Sequence, residues 1–275
     1  MELATRMGNI QGEFGMKVGI IGYGYVGKAI AAAYEPAQVM INDPLYDSTD
    51  IATIKAECDA IFVCVPTPQY RDGSCDTTIL EETIHSLNGY KGLVICKSTA
   101  LPQTYIELES RNPDLRIAHA PEFLTAANAE TDYQYPVKIV IGCKPELRID
   151  MADAILTDKI HYDMTTIQYC SIAEASMVKY VANTMLAMKV VINNEFYDVC
   201  KTLGIKWDNV ARVAATDPRL GNTHWQVPGP DGSRGFGGAC FPKDTLALLS
   251  LARFLHSDPS MLEAAVEKNE KLRAK

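Results

Sequence analysis

The sequence has no pair of cysteines in C-x-x-C spacing, although it contains eight cysteines, and its five histidines form no cluster. This pattern excludes the common zinc-site signatures and argues against a disulfide framework, so we expect reduced thiols and a cytoplasmic location. No apolar run is as long as a membrane-spanning helix, and no signal-peptide pattern opens the chain, so we expect no membrane contact. The net charge of −8 disfavours a nucleic-acid-binding surface.

A glycine motif lies between a predicted strand and a predicted helix. The apolar run M-K-V-G-I-I precedes G-Y-G-Y-V-G, and the helical pattern K-A-I-A-A-A-Y follows. Strand, G-x-G-x-x-G and helix in this order form the dinucleotide fingerprint. Gly22 makes the tight turn, Gly24 lets a pyrophosphate approach, and Gly27 packs the helix against the strand. The predicted cofactor-binding residues of this turn are Gly22, Gly24, Tyr25, Val26 and Gly27.

An acidic residue follows the second predicted strand, which covers residues 38–42 and ends at Asp43. A carboxylate about twenty residues after the glycine motif accepts the ribose hydroxyls of a dinucleotide. The same carboxylate repels a 2′-phosphate, so the sequence favours NAD over NADP.

Further strands alternate with helical patterns, which predicts an α/β fold with a doubly wound, mostly parallel sheet. The strands are predicted over residues 60–65, 93–96, 116–119 and 138–142, and a helix over 76–87. Polar residues follow three of the strands: Thr67 after Pro66, then Thr99, then Glu122. Ligands bind at the carboxyl ends of the strands in such sheets, so these residues are site candidates. Taken singly, each is equally explained as a solvated loop residue.

A long helix is predicted over residues 168–203, because this stretch contains neither proline nor glycine and Gly204 follows as a C-cap. Its length of roughly 50 Å exceeds the need of one small domain and predicts a homodimer built around the helix. Lys179 and Asn183 are four residues apart on one face, so both side chains can aim at one reacting oxygen. A solvated lysine and a surface asparagine are the alternative.

The chemistry of the chain is predicted to centre on G-F-G-G-A-C-F-P-K-D, residues 235–244. Pro242 and the helical pattern after it place Cys240 at or just before a helix N-terminus, where the dipole favours the thiolate. Lys243 adds positive charge nearby, and Asp244 shares a helix face with Cys240. Such a thiol suits a covalent thiohemiacetal or thioester intermediate. The alternative is a glycine-rich turn with a structural cysteine.

Several motifs together resemble the nucleotide-sugar dehydrogenase family, whose best-known member is UDP-glucose 6-dehydrogenase. In chain order they are G-Y-G-Y-V-G, V-C-V-P-T-P with D-G-S-C-D, K-S-T-A, A-P-E-F-L, A-E-A-S-M-V-K-Y-V-A-N, D-P-R-L-G-N and G-F-G-G-A-C-F-P-K-D. The resemblance covers about residues 16–275. It implies oxidation of the primary alcohol of a nucleotide sugar, most readily UDP-glucose, to a carboxylate with two NAD+ per turnover and no metal.

The resemblance also implies roles for individual residues. Cys240 matches the nucleophile that traps the aldehyde, and Lys179 and Asn183 match the pair that steadies the oxyanion. Glu122 and Asp244 match residues that handle protons or water, and Thr99 matches a residue near the reacting carbon. The implied cofactor contacts add Pro66, Thr67 and Thr99 to the glycine turn and Asp43. The implied substrate contacts are Glu122, Phe123, Leu124, Lys179, Asn183, Arg219, which reaches the neighbouring subunit's substrate, and Gly237.

Two departures from the family pattern affect these expectations. Ala126 aligns with a position that carries a second glutamate in the family. The family also has a second Rossmann domain, and this chain ends about where that domain begins. We expect an extension over residues 1–15, a Rossmann-like NAD-binding domain over 16–165, and over 166–275 a helical central domain that mediates dimerisation and carries the catalytic cysteine.

Two other functions stay open at this point. A dehydrogenase acting on a smaller hydroxy acid would transfer only two electrons, but that reaction has no use for Cys240. A non-catalytic or partner-dependent nucleotide-binding subunit is the other alternative, which the replacement at Ala126 favours weakly. The number of NADH molecules formed per sugar discriminates the three.

Overall fold

A computed structural model describes residues 15–163 and 166–274 and divides the chain into two compact units. The first unit comprises the described residues up to Thr67 together with Asp76–Lys179. The second unit comprises Pro68–Cys75 and the described residues from Tyr180 onward. The predicted extension lies outside the described residues except for Gly15, and the predicted domain boundary after residue 165 stays a prediction.

The first unit is built around one seven-stranded sheet in the order β2-β1-β3-β4-β5-β6-β7. All neighbouring strands are parallel except β5 and β6, which are antiparallel. The predicted α/β fold with a mostly parallel sheet is therefore confirmed. The strands are β1 Val18–Ile21, β2 Val39–Asn42, β3 Ala60–Val63, β4 Leu93–Cys96, β5 Arg116–His119, β6 Ile139–Gly142 and β7 Ile167–Cys170.

Both faces of this sheet are buried, as a doubly wound fold requires. Successive strand residues point to opposite faces, so Phe62 and Ile95 belong to one core cluster while Ile61 and Val94 belong to the other. The helices of this unit are α1 Tyr25–Ala32, α2 Ile51–Glu57, α3 Thr78–Ser86, α4 Pro102–Arg111, α5 Ala129–Gln134 and α6 Arg148–Ile155, and short 3-10 helices cover Pro36–Gln38, Ala126–Asn128 and Pro145–Leu147.

The long helix, α7, covers Ile172–Thr202, so the predicted start at residue 168 is wrong. Residues Ile167–Cys170 instead form β7, because they pair in parallel with β6 from Ile139↔Ile167 to Gly142↔Cys170. A capping box then begins the helix: the Glu174 carboxylate accepts from the Ser171 N–H at 2.7 Å, and Ser171 Oγ accepts from the Glu174 N–H at 3.3 Å. Gly204, at φ +71°, follows the helix end as predicted.

The helices of the second unit are the rest of α7, α8 Trp207–Ala214, α9 Phe241–Phe254 and α10 Ser260–Arg273. By length and composition α7 could cross a membrane, although we expected no apolar run of that length. It also carries buried polar residues, Asn183, Asn193 and Asn194, and the buried Ala187. A core helix of a globular protein can have the same length and composition, so these two properties do not indicate that α7 crosses a membrane.

Candidate active site

The turn between β1 and α1 has the geometry of a dinucleotide cradle. Gly22 adopts φ +92°, and a Cβ there would lie 2.6 Å from the Cys64 carbonyl oxygen. A Cβ on Gly27 would lie 2.2 Å from the Gly22 carbonyl oxygen, so the helix packs closely onto the turn. A Cβ on Gly24 would meet nothing within 4 Å, and the first turn of α1 carries no acidic side chain. The N–H groups that begin α1 at Tyr25 and Val26 can therefore receive a pyrophosphate.

Asp43 lies beside this turn, directly after β2. Its carboxylate accepts hydrogen bonds from the main-chain N–H of Tyr23 at 2.7 Å and of Leu45 at 2.9 Å. These two bonds fix the orientation of the carboxylate and leave further lone pairs for ribose hydroxyls. The cradle and the carboxylate together fit NAD.

The loops after β3 and β4 are tied to each other. Thr67, which follows Pro66, donates from Oγ1 to the Thr99 carbonyl oxygen at 2.6 Å. Ser98 Oγ donates to the Val65 carbonyl oxygen at 2.7 Å. The structure thus brings the predicted residues Thr67 and Thr99 together at the carboxyl edge of the sheet.

Glu122, after β5, is held by two lysines. Its Oε2 lies 3.0 Å from Lys97 Nζ. This ion pair is largely buried, because the Lys97 side chain is 5% exposed and the Glu122 side chain is 15% exposed. Lys179 Nζ donates to the main-chain oxygen of Glu122, and Glu122 Oε1 accepts from the Phe123 N–H at 2.9 Å. Sequence reasoning missed Lys97, although it is the first residue of the K-S-T-A motif and follows a buried strand.

Lys138 also lies close to the loop that carries Glu122 and Phe123, and sequence reasoning missed it as well. Because β6 runs antiparallel to β5, the residue that precedes it lies at the edge where β5 ends. The ring centroid of Phe123 is 4.1 Å from Lys138 Nζ and 5.2 Å from Lys179 Nζ. Burial lowers the pKa of Lys138. The adjoining Leu124 packs against the core of the first unit.

In the second unit, Cys240 immediately precedes α9 and its side chain is exposed. Its carbonyl oxygen accepts from the Asp244 N–H at 2.8 Å, which closes the first turn of the helix. Pro242 occupies the first turn, where its missing N–H leaves no bond unmade. An exposed thiol at the positive end of a helix dipole is placed for nucleophilic chemistry.

Asp244 is buried between an amide and an ammonium group. Its Oδ2 accepts from Asn183 Nδ2 at 2.6 Å, and its Oδ1 lies 2.7 Å from Lys243 Nζ. Lys243, which we expected to add positive charge near the thiol, thus pairs with Asp244. Asn183 keeps a second amide N–H for another acceptor. Asp244 is therefore arranged to orient Asn183.

The remaining predicted substrate contacts lie at the surface of the second unit or near α10. Arg219 is 85% exposed and pairs with Asp217 at 2.6 Å. It lines a groove of about 740 Å³ along α7 that also contains Met185 and Phe196. A Cβ on Gly237 would lie 2.7 Å from the Arg273 guanidinium, so the missing side chain makes room for that group. Among the residues that the structure describes, no three His, Cys, Asp or Glu side chains converge as metal ligands.

Both parts of the chain match models of one protein family. Residues 35–160 match the NAD binding domain of the UDP-glucose/GDP-mannose dehydrogenase family, and residues 173–271 match the central domain of that family. The match to the NAD-binding domain contains Asp43, and the glycine cradle lies just before the matched range, so the cofactor is NAD.

Individual relatives agree with these matches. The chain is 29% identical to UDP-glucose 6-dehydrogenase AglM of Haloferax volcanii over 93% of this chain and 70% of the relative. It is 30% identical to the putative UDP-glucose 6-dehydrogenase YtcA of Bacillus subtilis, over 93% and 68% of the two chains. A UDP-glucose dehydrogenase structure from Pyrobaculum islandicum matches with a TM-score of 0.77 and 25% identity, over 95% of this chain and 69% of that one.

The chain spans about half the length of several other curated relatives. The combined similarity to the NAD-binding and central domains, in the same order along the chain, nevertheless extends over most of its length. This chain belongs to the UDP-glucose/GDP-mannose dehydrogenase family, a family of NAD-dependent dehydrogenases.

Proposed function

We propose that this protein oxidises the primary alcohol of UDP-glucose to the carboxylate of UDP-glucuronate through a covalent intermediate on Cys240. The observation that carries the proposal is the exposed thiol immediately before α9, with the buried Asn183–Asp244 pair in the same unit. A simple alcohol dehydrogenase needs no nucleophile, whereas oxidation beyond the aldehyde requires a heteroatom on the carbonyl carbon. The thiol supplies that heteroatom.

The proposed reaction has two oxidations and one hydrolysis. When bound, NAD+ accepts a hydride in each oxidation. After the alcohol has lost a proton and a hydride, the Cys240 thiolate adds to the aldehyde carbon and forms a C–S bond. Loss of the second hydride leaves a thioester. Water then adds to the thioester carbon, the C–S bond breaks, and the carboxylate leaves while the thiol is restored.

Lys179 and Asn183 are proposed to stabilise the negative oxygen that develops in these steps. They lie four residues apart on α7, and each carries an N–H donor that is held in place by another group. Preorganised donors of this kind lower a barrier because they need no reorganisation when charge develops. Glu122, held by Lys97, is proposed to handle protons and the hydrolytic water beside Thr99. Phe123, Leu124, Gly237 and Arg219 are proposed substrate contacts.

The stoichiometry of NADH tests the proposed function against its alternatives. Purified protein incubated with UDP-glucose and NAD+ is expected to form two NADH and one UDP-glucuronate per sugar consumed. One NADH per molecule of a smaller hydroxy acid would instead identify a two-electron dehydrogenase. No NADH with any sugar nucleotide, alone or with candidate partners, would contradict the proposal.

Asp43 is expected to set the choice of NAD over NADP. Asp43→Ser removes a charged acceptor for the ribose hydroxyls and the repulsion of a 2′-phosphate. We expect NAD to bind about tenfold more weakly or worse, and the NAD/NADP preference to shrink. Fluorescence titration of both dinucleotides measures this, with the exposed Asp47→Ser as the control. If Asp43→Ser keeps the wild-type preference for NAD over NADP, Asp43 does not set the choice of cofactor.

A homodimer is proposed to form through α7. This helix exposes Val181, Met185, Phe196 and Val199 in a single protomer, which is more apolar surface than one solvated helix usually presents. Arg219 lines the adjoining groove and would reach the substrate of the second copy.

Light scattering at micromolar concentration is expected to give the mass of two chains. Met185→Glu should give the mass of one chain, because it places a charge in the proposed interface. Ile106→Glu, an equally apolar exposed position on α4, should remain dimeric. A monomeric wild-type protein would contradict the dimer and the role of Arg219.

The proposed location is the cytoplasm. None of the eight cysteines, all of which lie in the described residues, forms a disulfide, as a reducing compartment would favour.

A further inference from the structure

The loop that precedes Cys240 is fixed by a residue of α10 that takes no part in the reaction proposed above. Asn269 is buried, and both ends of its side-chain amide bond the main chain of one loop residue, Phe236. Its Oδ1 accepts from the Phe236 N–H at 2.7 Å, and its Nδ2 donates to the Phe236 carbonyl oxygen at 3.1 Å. The amide thus pairs with the loop as a neighbouring strand would, although 33 residues separate the two positions.

The loop is shaped to receive this amide. Gly235 adopts φ +74°, and a Cβ there would lie 2.4 Å from Asn269 Oδ1 and 3.3 Å from Leu272 Cβ. The glycine therefore serves two needs, since it allows a left-handed conformation and lets α10 approach the loop. A further residue of α10, Arg273, lies against Gly237 and pairs with Asp231 at 2.6 Å.

The Phe236 side chain is fixed on the opposite side by α7. It packs with the buried Ala187 and Val191 of α7, and Phe241 of α9 adjoins the same cluster. Phe236 is thus held at its side chain by α7 and at its main chain by α10, four residues before Cys240. A buried backbone N–H and carbonyl must be paired, and here one side chain satisfies both.

We propose that Asn269 is a positioning residue that sets the place of the Cys240 thiol by clamping the Phe236 main chain. The proposal rests on the proposed function of Cys240 as nucleophile. Without the clamp, the Phe236 N–H and carbonyl oxygen lose their partners and the loop can move relative to the start of α9. A nucleophile misplaced by about 1 Å costs on the order of 100-fold in rate.

Asn269→Leu tests the proposal, because leucine has a similar size and makes neither hydrogen bond. We expect kcat to fall about 10- to 100-fold, while the KM for UDP-glucose and the Kd for NAD change less than about threefold, since neither the cradle nor Asp43 is altered. Asn112→Leu is the matched control: Asn112 is also buried, but its amide donates to the Leu108 carbonyl oxygen within the first unit. It should keep the wild-type kcat.

A second readout separates positioning from a general loss of stability. The alkylation rate of Cys240 by iodoacetamide, followed by peptide mass mapping across pH, reports the thiolate directly and needs no turnover. In Asn269→Leu we expect a slower alkylation rate across the pH range, because the loop no longer holds the thiol in one place. In Asn112→Leu the profile should match the wild type.

Asn269→Asp is the second variant, for use if Asn269→Leu does not fold. The carboxylate still accepts from the Phe236 N–H but cannot donate to the carbonyl oxygen, so an intermediate loss of kcat and alkylation rate is expected. Wild-type kcat and a wild-type alkylation profile in a folded Asn269 variant would overturn the proposal. If the wild-type protein oxidises no sugar nucleotide, the proposed function fails, whereas the alkylation profiles still decide whether Asn269 places the thiol.

Discussion

Cys240→Ser is expected to abolish formation of the carboxylate, by about 10³-fold or more in rate, because the residue supplies the bond that the second oxidation needs. The first oxidation requires a base and a hydride acceptor but no nucleophile, so some aldehyde should still form. A serine hydroxyl at this position is far less ionised than a thiol. In any ester formed on it, the serine oxygen is a poorer leaving group than the cysteine sulfur of the thioester. The expected product is therefore the aldehyde, or a stalled enzyme-bound adduct.

The measurement is the amount of NADH and the identity of the product for wild type and variant. NAD should bind Cys240→Ser as it binds the wild type, because the cradle from Gly22 to Gly27 and Asp43 are unchanged. Cys200→Ser is the control, since Cys200 lies near the end of α7 and takes no part in the proposed reaction. If Cys240→Ser forms the carboxylate at the wild-type rate, the covalent mechanism is wrong and residues 235–244 form only a packed turn.

Lys179→Ala is expected to slow both oxidations by about 10²- to 10³-fold, because each passes through a charged oxygen that the ammonium group stabilises. This distinguishes Lys179 from Cys240, whose loss should spare the first oxidation. The variant also removes the hydrogen bond to the main-chain oxygen of Glu122. Part of the loss can therefore come from movement of Glu122 and Phe123.

Single-turnover kinetics with stopped-flow detection of NADH measure the two oxidations separately. Lys144→Ala, which removes an exposed lysine of the first unit, is the control and should behave as the wild type. If Lys179→Ala raises KM but leaves both hydride-transfer rates unchanged, Lys179 does not stabilise the charged oxygen preferentially. Lys179 would then contribute equally to binding the ground state and the transition state.

The dinucleotide cradle could be predicted from the sequence because its determinants are local. Strand, glycines and helix follow one another, and Asp43 lies at the end of the next strand. The position of Cys240 before a helix could also be predicted, because Pro242 and the helix-forming residues after it are local signals. The start of α7 was missed although its signal was local too, since Ser171 and Glu174 have the spacing of a capping box.

The side chains that hold the proposed catalytic residues could not be predicted, because their partners are distant in the chain. Lys97 meets Glu122 only because β4 and β5 are neighbours in the sheet. Lys138 reaches Phe123 only because β6 is antiparallel to β5, whereas a parallel strand would place that lysine at the opposite edge. The bonds between Asn269 and the loop depend on how α10 packs, which no periodicity in the sequence specifies.

The most direct test of the covalent mechanism is to look for the thioester on Cys240. In Glu122→Gln the proposed water-handling carboxylate is absent, so hydrolysis should slow while the oxidations continue. Acid quenching during the first turnover with UDP-glucose and NAD+, followed by peptide mass mapping, should find the peptide with Cys240 carrying the sugar nucleotide as an acyl group. That adduct should decay at the rate at which UDP-glucuronate appears. Formation of UDP-glucuronate with an unmodified Cys240 at every quench time would contradict the mechanism.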